Sequence, residues 1–208
     1  MRDRLDFSTG RLPTGAARAR HRGWVLAAAL FGPLAACAPV RQPSVAWMPA
    51  STGLSDPTDL IAVTAYAFAE RGRLAGHPAR AAEMVAALDS LAGVLATDAR
   101  FYGSAPIAKL ELLHARRVVR RVLGIAPGAT SAQVVGSMLN LSFALAHGHH
   151  AAAAKILRAP IFTFGPSRTL AILSDMPFVR AANIATMDAL VALGGGGGND
   201  GSPTGRRN

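Results

Sequence analysis

Cysteine is almost missing from these 208 residues: it occurs once, at Cys37. A lone thiol excludes an intramolecular disulfide, so no such crosslink staples the fold. Aromatic residues make up only 6%. Together with the abundance of alanine and leucine, that scarcity speaks against a β-sandwich and for helices. Acids are also few, 12 Asp and Glu against 22 Lys and Arg. Long apolar runs are lacking too: residues 24–36 fall well short of the ~20 that span a bilayer, and Gly32-Pro33 interrupts them.

The chain changes character around its cysteine. Residues 1–23 are rich in arginine, residues 24–36 are apolar, and small side chains stand directly before Cys37. A basic leader, an apolar stretch and a small-residue site are the three parts of a cleaved secretory signal. Consecutive arginines are absent from the leader, so a twin-arginine route is not indicated. The leader is longer than a signal needs and is read as a translation start placed too early.

Leu34, Ala35, Ala36 and Cys37 resemble the lipobox that ends bacterial lipoprotein signal peptides. The resemblance covers the signal only. It implies cleavage between Ala36 and Cys37, a diacylglyceryl group on the Cys37 thiol, and a palmitate-type acyl chain on the new amino terminus. It also implies a lipid-anchored protein of the bacterial cell envelope, facing the periplasm. Ala38 follows Cys37 in place of the aspartate that signals inner-membrane retention in some bacteria, which favours the outer membrane. An unpaired thiol in an exported chain agrees with lipidation. Two other readings of the same residues stay open. One is a conventional cleavage site followed by a free cysteine; the other is an uncleaved anchor, against which the length of the stretch speaks.

Residues 1–36 hold 6 of the 22 basic and 2 of the 12 acidic side chains, which leaves the remainder a formal charge of +6. The excess favours anionic surfaces or ligands. Envelope proteins and anionic lipid are the expected partners, together with the membrane reached through the lipid anchor, and no nucleic acid is expected. Residues 37–54 carry Pro39, Pro43 and Pro49 among small residues, a pattern that cannot continue a helix and reads as a tether. Residues 194–208 open on five glycines and read as a disordered tail.

Between these lies one helical domain, residues 55–193. Capping residues, prolines suited to a first turn and glycine stops divide it into helices over about 57–71, 78–96, 106–123, 131–146, 149–157, 167–174 and 178–193. The first is apolar around most of its circumference and is expected at the centre. In the second, Met84, Leu88, Leu91 and Leu95 form one stripe, with Glu83, Ala86, Ser90 and Gly93 opposite. Ser104 is expected to cap the third, whose core face is Ala108, Leu112, Ala115, Val119 and Val122. Residues 161–164 read as a buried apolar connector. The prediction is an all-α fold, an irregular bundle of about five to seven helices. A weak echo between residues 76–82 and 148–154 adds a repeat-like helical hairpin as a variant.

Two groups of side chains are candidates for function. Lys109, Arg116, Arg117, Arg120 and Arg121 gather on the third helix with Glu111 as its one acid, and are candidate anion- or partner-binding residues. Arg117 and Arg121 repel at i, i+4, which makes most sense with a partner. The bland reading is a solvated face whose cations meet the helix macrodipole. His147, His149 and His150 are weak metal-ligand candidates, because no Cys, Asp or Glu nearby completes a tetrahedral set. His114 is expected to be exposed or paired with Glu111. A strained nucleophile elbow, a phosphate loop and paired carboxylates are missing from the pattern. The reading is therefore a tethered binding or structural domain without a cofactor, with a metal-dependent envelope enzyme using the three histidines as the alternative.

Overall fold

Seven helices form among residues 43–193, the part of the chain that the computed structural model describes: α1 (Pro57–Phe68), α2 (Pro78–Thr97), α3 (Pro106–Val122), α4 (Ser131–Ala146), α5 (His150–Leu157), α6 (Gly165–Ser174) and α7 (Arg180–Leu193). The signal (1–36), Cys37 and the glycine-rich tail (194–208) lie outside the described residues. The fold is all-α, and the described residues contain no strand, only an isolated antiparallel bridge between Ile125 and Phe162. None of these helices is long and apolar enough to cross a membrane.

The helix starts follow local chemistry. Asp56 Oδ1 accepts the Thr58 N–H at 2.7 Å, and α1, α2 and α3 each carry proline in the first turn, where its missing N–H costs nothing. Thr130 and Gln133 form a reciprocal capping box at the start of α4. Ser104, the expected cap of α3, does not cap it. Its hydroxyl donates to Phe101 O at 2.8 Å, and Ala105 stands at the N-cap with φ 42°. The first helix also stops at Phe68 rather than Arg71, and Asn183 of α7 donates to the carbonyl of Ala69 just beyond it.

The centre of the bundle is α2, not α1. Every residue from 84 to 95 is buried, whereas α1 leaves Thr58, Asp59, Ala62 and Tyr66 exposed. The stripe of Met84, Leu88, Leu91 and Leu95 is core as expected, and each such side chain contributes about 1.5–3 kcal/mol by leaving water. The opposite side carries Glu83, Ala86, Ser90 and Gly93, mostly small residues. Those small residues let other helices come close, so α2 packs against α1, α3, α4 and α6. Helix α7 lies across α1 and α3, and α5 packs between α4 and α6.

The described part of the segment read as a tether lies on the bundle. Met48 is buried, and Ser44 bonds to α3 and α4. Gly93 of α2 makes room for it: a Cβ there would sit 3.0 Å from Ser44 O and 3.2 Å from the Cα of Val45. Residues 43–49 thus form a strap whose path one absent methyl permits.

The echo between residues 76–82 and 148–154 is one of turn shape. Gly76 and Gly148 both have left-handed φ, 78° and 69°, and each precedes a histidine at the N-cap of the next helix. The helices that follow differ, 20 residues in α2 and 8 in α5, so the likeness stops at the turn.

Candidate functional site

Arg116, Arg117, Arg120 and Arg121 fall on α3 as two neighbouring stripes, 116 with 120 and 117 with 121, about 100° apart around the axis. Tertiary packing treats the stripes differently. Arg120 turns inward to Asp89 of α2 in a two-pronged ion pair, Nε to Oδ2 at 2.6 Å and Nη2 to Oδ1 at 2.7 Å. Its Nη1 donates to Ala129 O at 2.7 Å. Planar guanidinium and carboxylate match edge to edge, which makes this pair both strong and directional. Both partners are buried.

Ser131, the first residue of α4, completes the cluster. Its Oγ lies 2.7 Å from Asp89 Oδ1 and 2.9 Å from Ser44 O, so the one hydroxyl proton serves either acceptor. The remaining lone pairs accept from Arg120 Nη2 at 3.2 Å and Arg116 Nη1 at 3.1 Å. Arg116 Nη1 also donates to Ser44 O at 2.9 Å. Burial holds the Arg116 guanidinium below the ordinary arginine pKa, a shift that nearby Asp89 opposes and the neighbouring Arg120 and Arg117 reinforce. Four elements thus meet at one polar knot: α2, α3, the start of α4 and the strap.

The second stripe remains outside. Arg117 and Arg121 are exposed, and neither makes an ion pair or a side-chain hydrogen bond among the described residues. They border a groove of about 650 Å³ whose lining also includes Arg116, Arg120, Ile125, Thr130 and Phe164. Its chemistry is two-sided. Four guanidiniums face it with one carboxylate, Asp89, behind them, while Ile125 and Phe164 supply an apolar part. The first turn of α4 opens at the same place, adding the partial positive charge of a helix N-terminus.

Gly124 shapes the floor. It has φ 67°, and a Cβ would come within 2.3 Å of the Phe164 ring, so the ring rests directly on bare backbone. The residue 161–164 connector is fixed here by Thr163 N–H to Gly124 O at 2.7 Å and Ala126 N–H to Ile161 O at 2.8 Å. The guanidinium of Arg168 lies 4.1 Å from the centre of the Phe164 ring.

Of the five predicted cations, four line the groove. Lys109 does not. It sits two turns earlier on α3, half-buried, with its ammonium donating to Phe101 O. The pattern of α3 also concealed Ser44 and Phe164 as groove components and Asp89 as the carboxylate behind Arg120. Asp89 had a signal: a lone carboxylate among Ala86, Ala87, Leu88 and Leu91 is seldom buried without a cation.

Of the three histidines, His147 and His149 gather beside the ring of Phe143, and His150 opens α5. His147 stacks on that ring at 4.1 Å between centroids, and its Nδ1 lies 2.8 Å from Phe143 O. His149 is 5.9 Å from His147 ring to ring. No group of three or more His, Cys, Asp or Glu converges to hold a metal ion among the described residues.

His114 is exposed, and Glu111 faces a carboxylate instead of it. The sequence had shown no paired carboxylates, yet the packing of α3 on α7 joins Glu111 to Asp188. The hydrogen bond to Asp188, then burial, then the like charge raise the Glu111 carboxyl above its ordinary value. The folded state therefore favours the proton. The contribution of the pair to stability is complete below the unfolded glutamate pKa and is lost as pH rises through the raised folded value. Glu111→Gln keeps a neutral group at every pH, so its melting temperature should exceed wild type at pH 7 and match it near pH 4. A lower melting temperature at pH 7 would show that the carboxylate is held by a cation after all.

No family model matches this chain, and no curated protein or solved structure matches it well enough to place it in a family.

Proposed function

We propose that this protein is a lipoprotein of the bacterial envelope whose helical domain binds an anionic partner in the α3 groove. In this reading residues 1–36 are removed, Cys37 carries the lipid, and the domain faces the periplasm, at the outer rather than the inner membrane. The observation that carries the binding role is the split between the stripes: Arg116 and Arg120 are engaged by the fold, while Arg117 and Arg121 have no counter-charge among the described residues. Two unpaired guanidiniums one turn apart repel each other and gain most from a bound anion. The address rests on the lipobox resemblance at residues 34–37. Two ester-linked chains with or without a third exceed what stable membrane attachment needs.

Intact mass of the membrane-extracted protein tests the address. The expected product begins at Cys37 and carries lipid mass, and Cys37→Ser abolishes both the lipid and the cleavage. An unmodified chain in the soluble fraction would overturn the tether. Crosslinking in intact envelopes tests the binding role, because a genuine adduct should disappear in Arg117→Glu/Arg121→Glu and persist in Lys109→Gln.

A further inference from the structure

The source of the anion can be argued from the strap and from the outer line of α3. Ser44 borders the groove and is bonded to Arg116 and Ser131. It lies seven residues after Cys37, and seven extended residues reach at most about 25 Å. A lipid on Cys37 would therefore keep the groove within that distance of a bilayer. Prolines at 39 and 43 do not lengthen the reach.

Ile107, Leu110, His114, Arg117 and Arg121 follow one another at spacings of three and four, on an arc of about 80° around α3. All five are exposed. Ile107 and Leu110 remain 70% and 67% accessible, a level that core packing does not explain. The line runs from apolar to cationic, and its cationic end borders the groove. Such a surface complements an interface where acyl chains and phosphates lie close together.

From these observations we infer that the groove holds the phosphate of a membrane lipid headgroup, with Arg117 and Arg121 on its oxygens and Phe164 and Ile125 against the first carbons of the lipid. The occupant is a lipid of the same bilayer that anchors the protein. This rests on the anion-binding reading above and adds the class of ligand to it.

Calorimetric titration of the lipidated protein in mild non-ionic detergent tests the inference with three probes: dihexanoyl phosphatidylglycerol, dihexanoyl phosphatidylcholine and glycerol 1-phosphate. Phosphatidylglycerol should bind at least tenfold more tightly than either of the others. Arg117→Glu/Arg121→Glu should weaken it at least tenfold with helix content unchanged. Gly128→Phe is the uncharged control. Gly128 lines the groove, and a Cβ there meets nothing within 4 Å, so the ring should block the groove without altering charge and weaken binding similarly. Equal binding of phosphatidylglycerol and glycerol 1-phosphate would overturn the lipid assignment and leave a groove for free anions. Binding that survives Gly128→Phe would place the lipid on the surface of α3 and overturn the pocket. Absence of binding by all three probes would overturn the lipid inference, and the crosslinking result would then decide the anionic-partner reading separately.

Discussion

Replacing Asp89 with alanine should lower the free energy of unfolding by about 3–5 kcal/mol, the range for removing one partner of a buried ion pair. Arg120 would keep its charge, since a guanidinium does not deprotonate in proteins, and would face the core of α2 with Ala129 O and Ser131 Oγ as its remaining polar partners. Urea titration is the direct measurement: the midpoint should fall sharply while the slope holds near the wild-type value. A double change, Asp89→Leu with Arg120→Met, should recover most of the loss, because the cost comes from stranding a charge and not from lacking the pair. A single-variant loss below about 1 kcal/mol, the scale of an exposed pair, would mean that water reaches Arg120. The same change should disturb the groove, because Arg120 ties α3 to α2 and to the start of α4 at once.

Gly124→Val should have the next largest effect. A branched residue at φ 67° costs about 1–2 kcal/mol in backbone strain. Forcing a side chain into the space of the Phe164 ring adds about 1–3 kcal/mol of overpacking. The expected total is about 2–5 kcal/mol, read from thermal and urea unfolding. Gly124→Ala with Phe164→Leu separates the two causes: it relieves the collision and leaves the backbone strain, so about 1–2 kcal/mol of loss should remain. Full recovery in that pair would show that the left-handed conformation is cheap here. Because Phe164 lines the groove, ligand affinity should fall in the Gly124 variants even at temperatures where they stay folded.

The helices were legible because their boundaries are local events. Pro57, Pro78 and Pro106 each mark a first turn, Thr130 with Gln133 caps α4, and Gly124 and Gly148 turn the chain out of α3 and α4. Of the predicted α3 face, Ala108, Leu112, Ala115 and Val119 are buried as their spacing requires, and Val122, at the end of the helix, is half-buried. Centrality was not legible. The one-sided look of α2 came from its alanines, serine and glycine, and small residues are as compatible with close helix contact as with solvent. The role of Ser44 was hidden as well, since proline-containing chain reads as linker until a groove on Gly93 is there to receive it.

By itself the sequence determined the all-α class, the approximate limits of the helices, and the gathering of cations on α3, all of which depend on residues within a turn or two of one another. Tertiary structure decided which cations remain available. Arg116 and Arg117 are adjacent in the chain, as are Arg120 and Arg121, and the helix period sets their stripes about 100° apart without fixing which stripe finds partners. The distinction is made by Asp89, 31 residues before Arg120, and by Ser44, 72 residues before Arg116. A buried charge must find its partner wherever the packing brings one, so the inward stripe was set by α2 and the strap, and the outward stripe was left facing the groove.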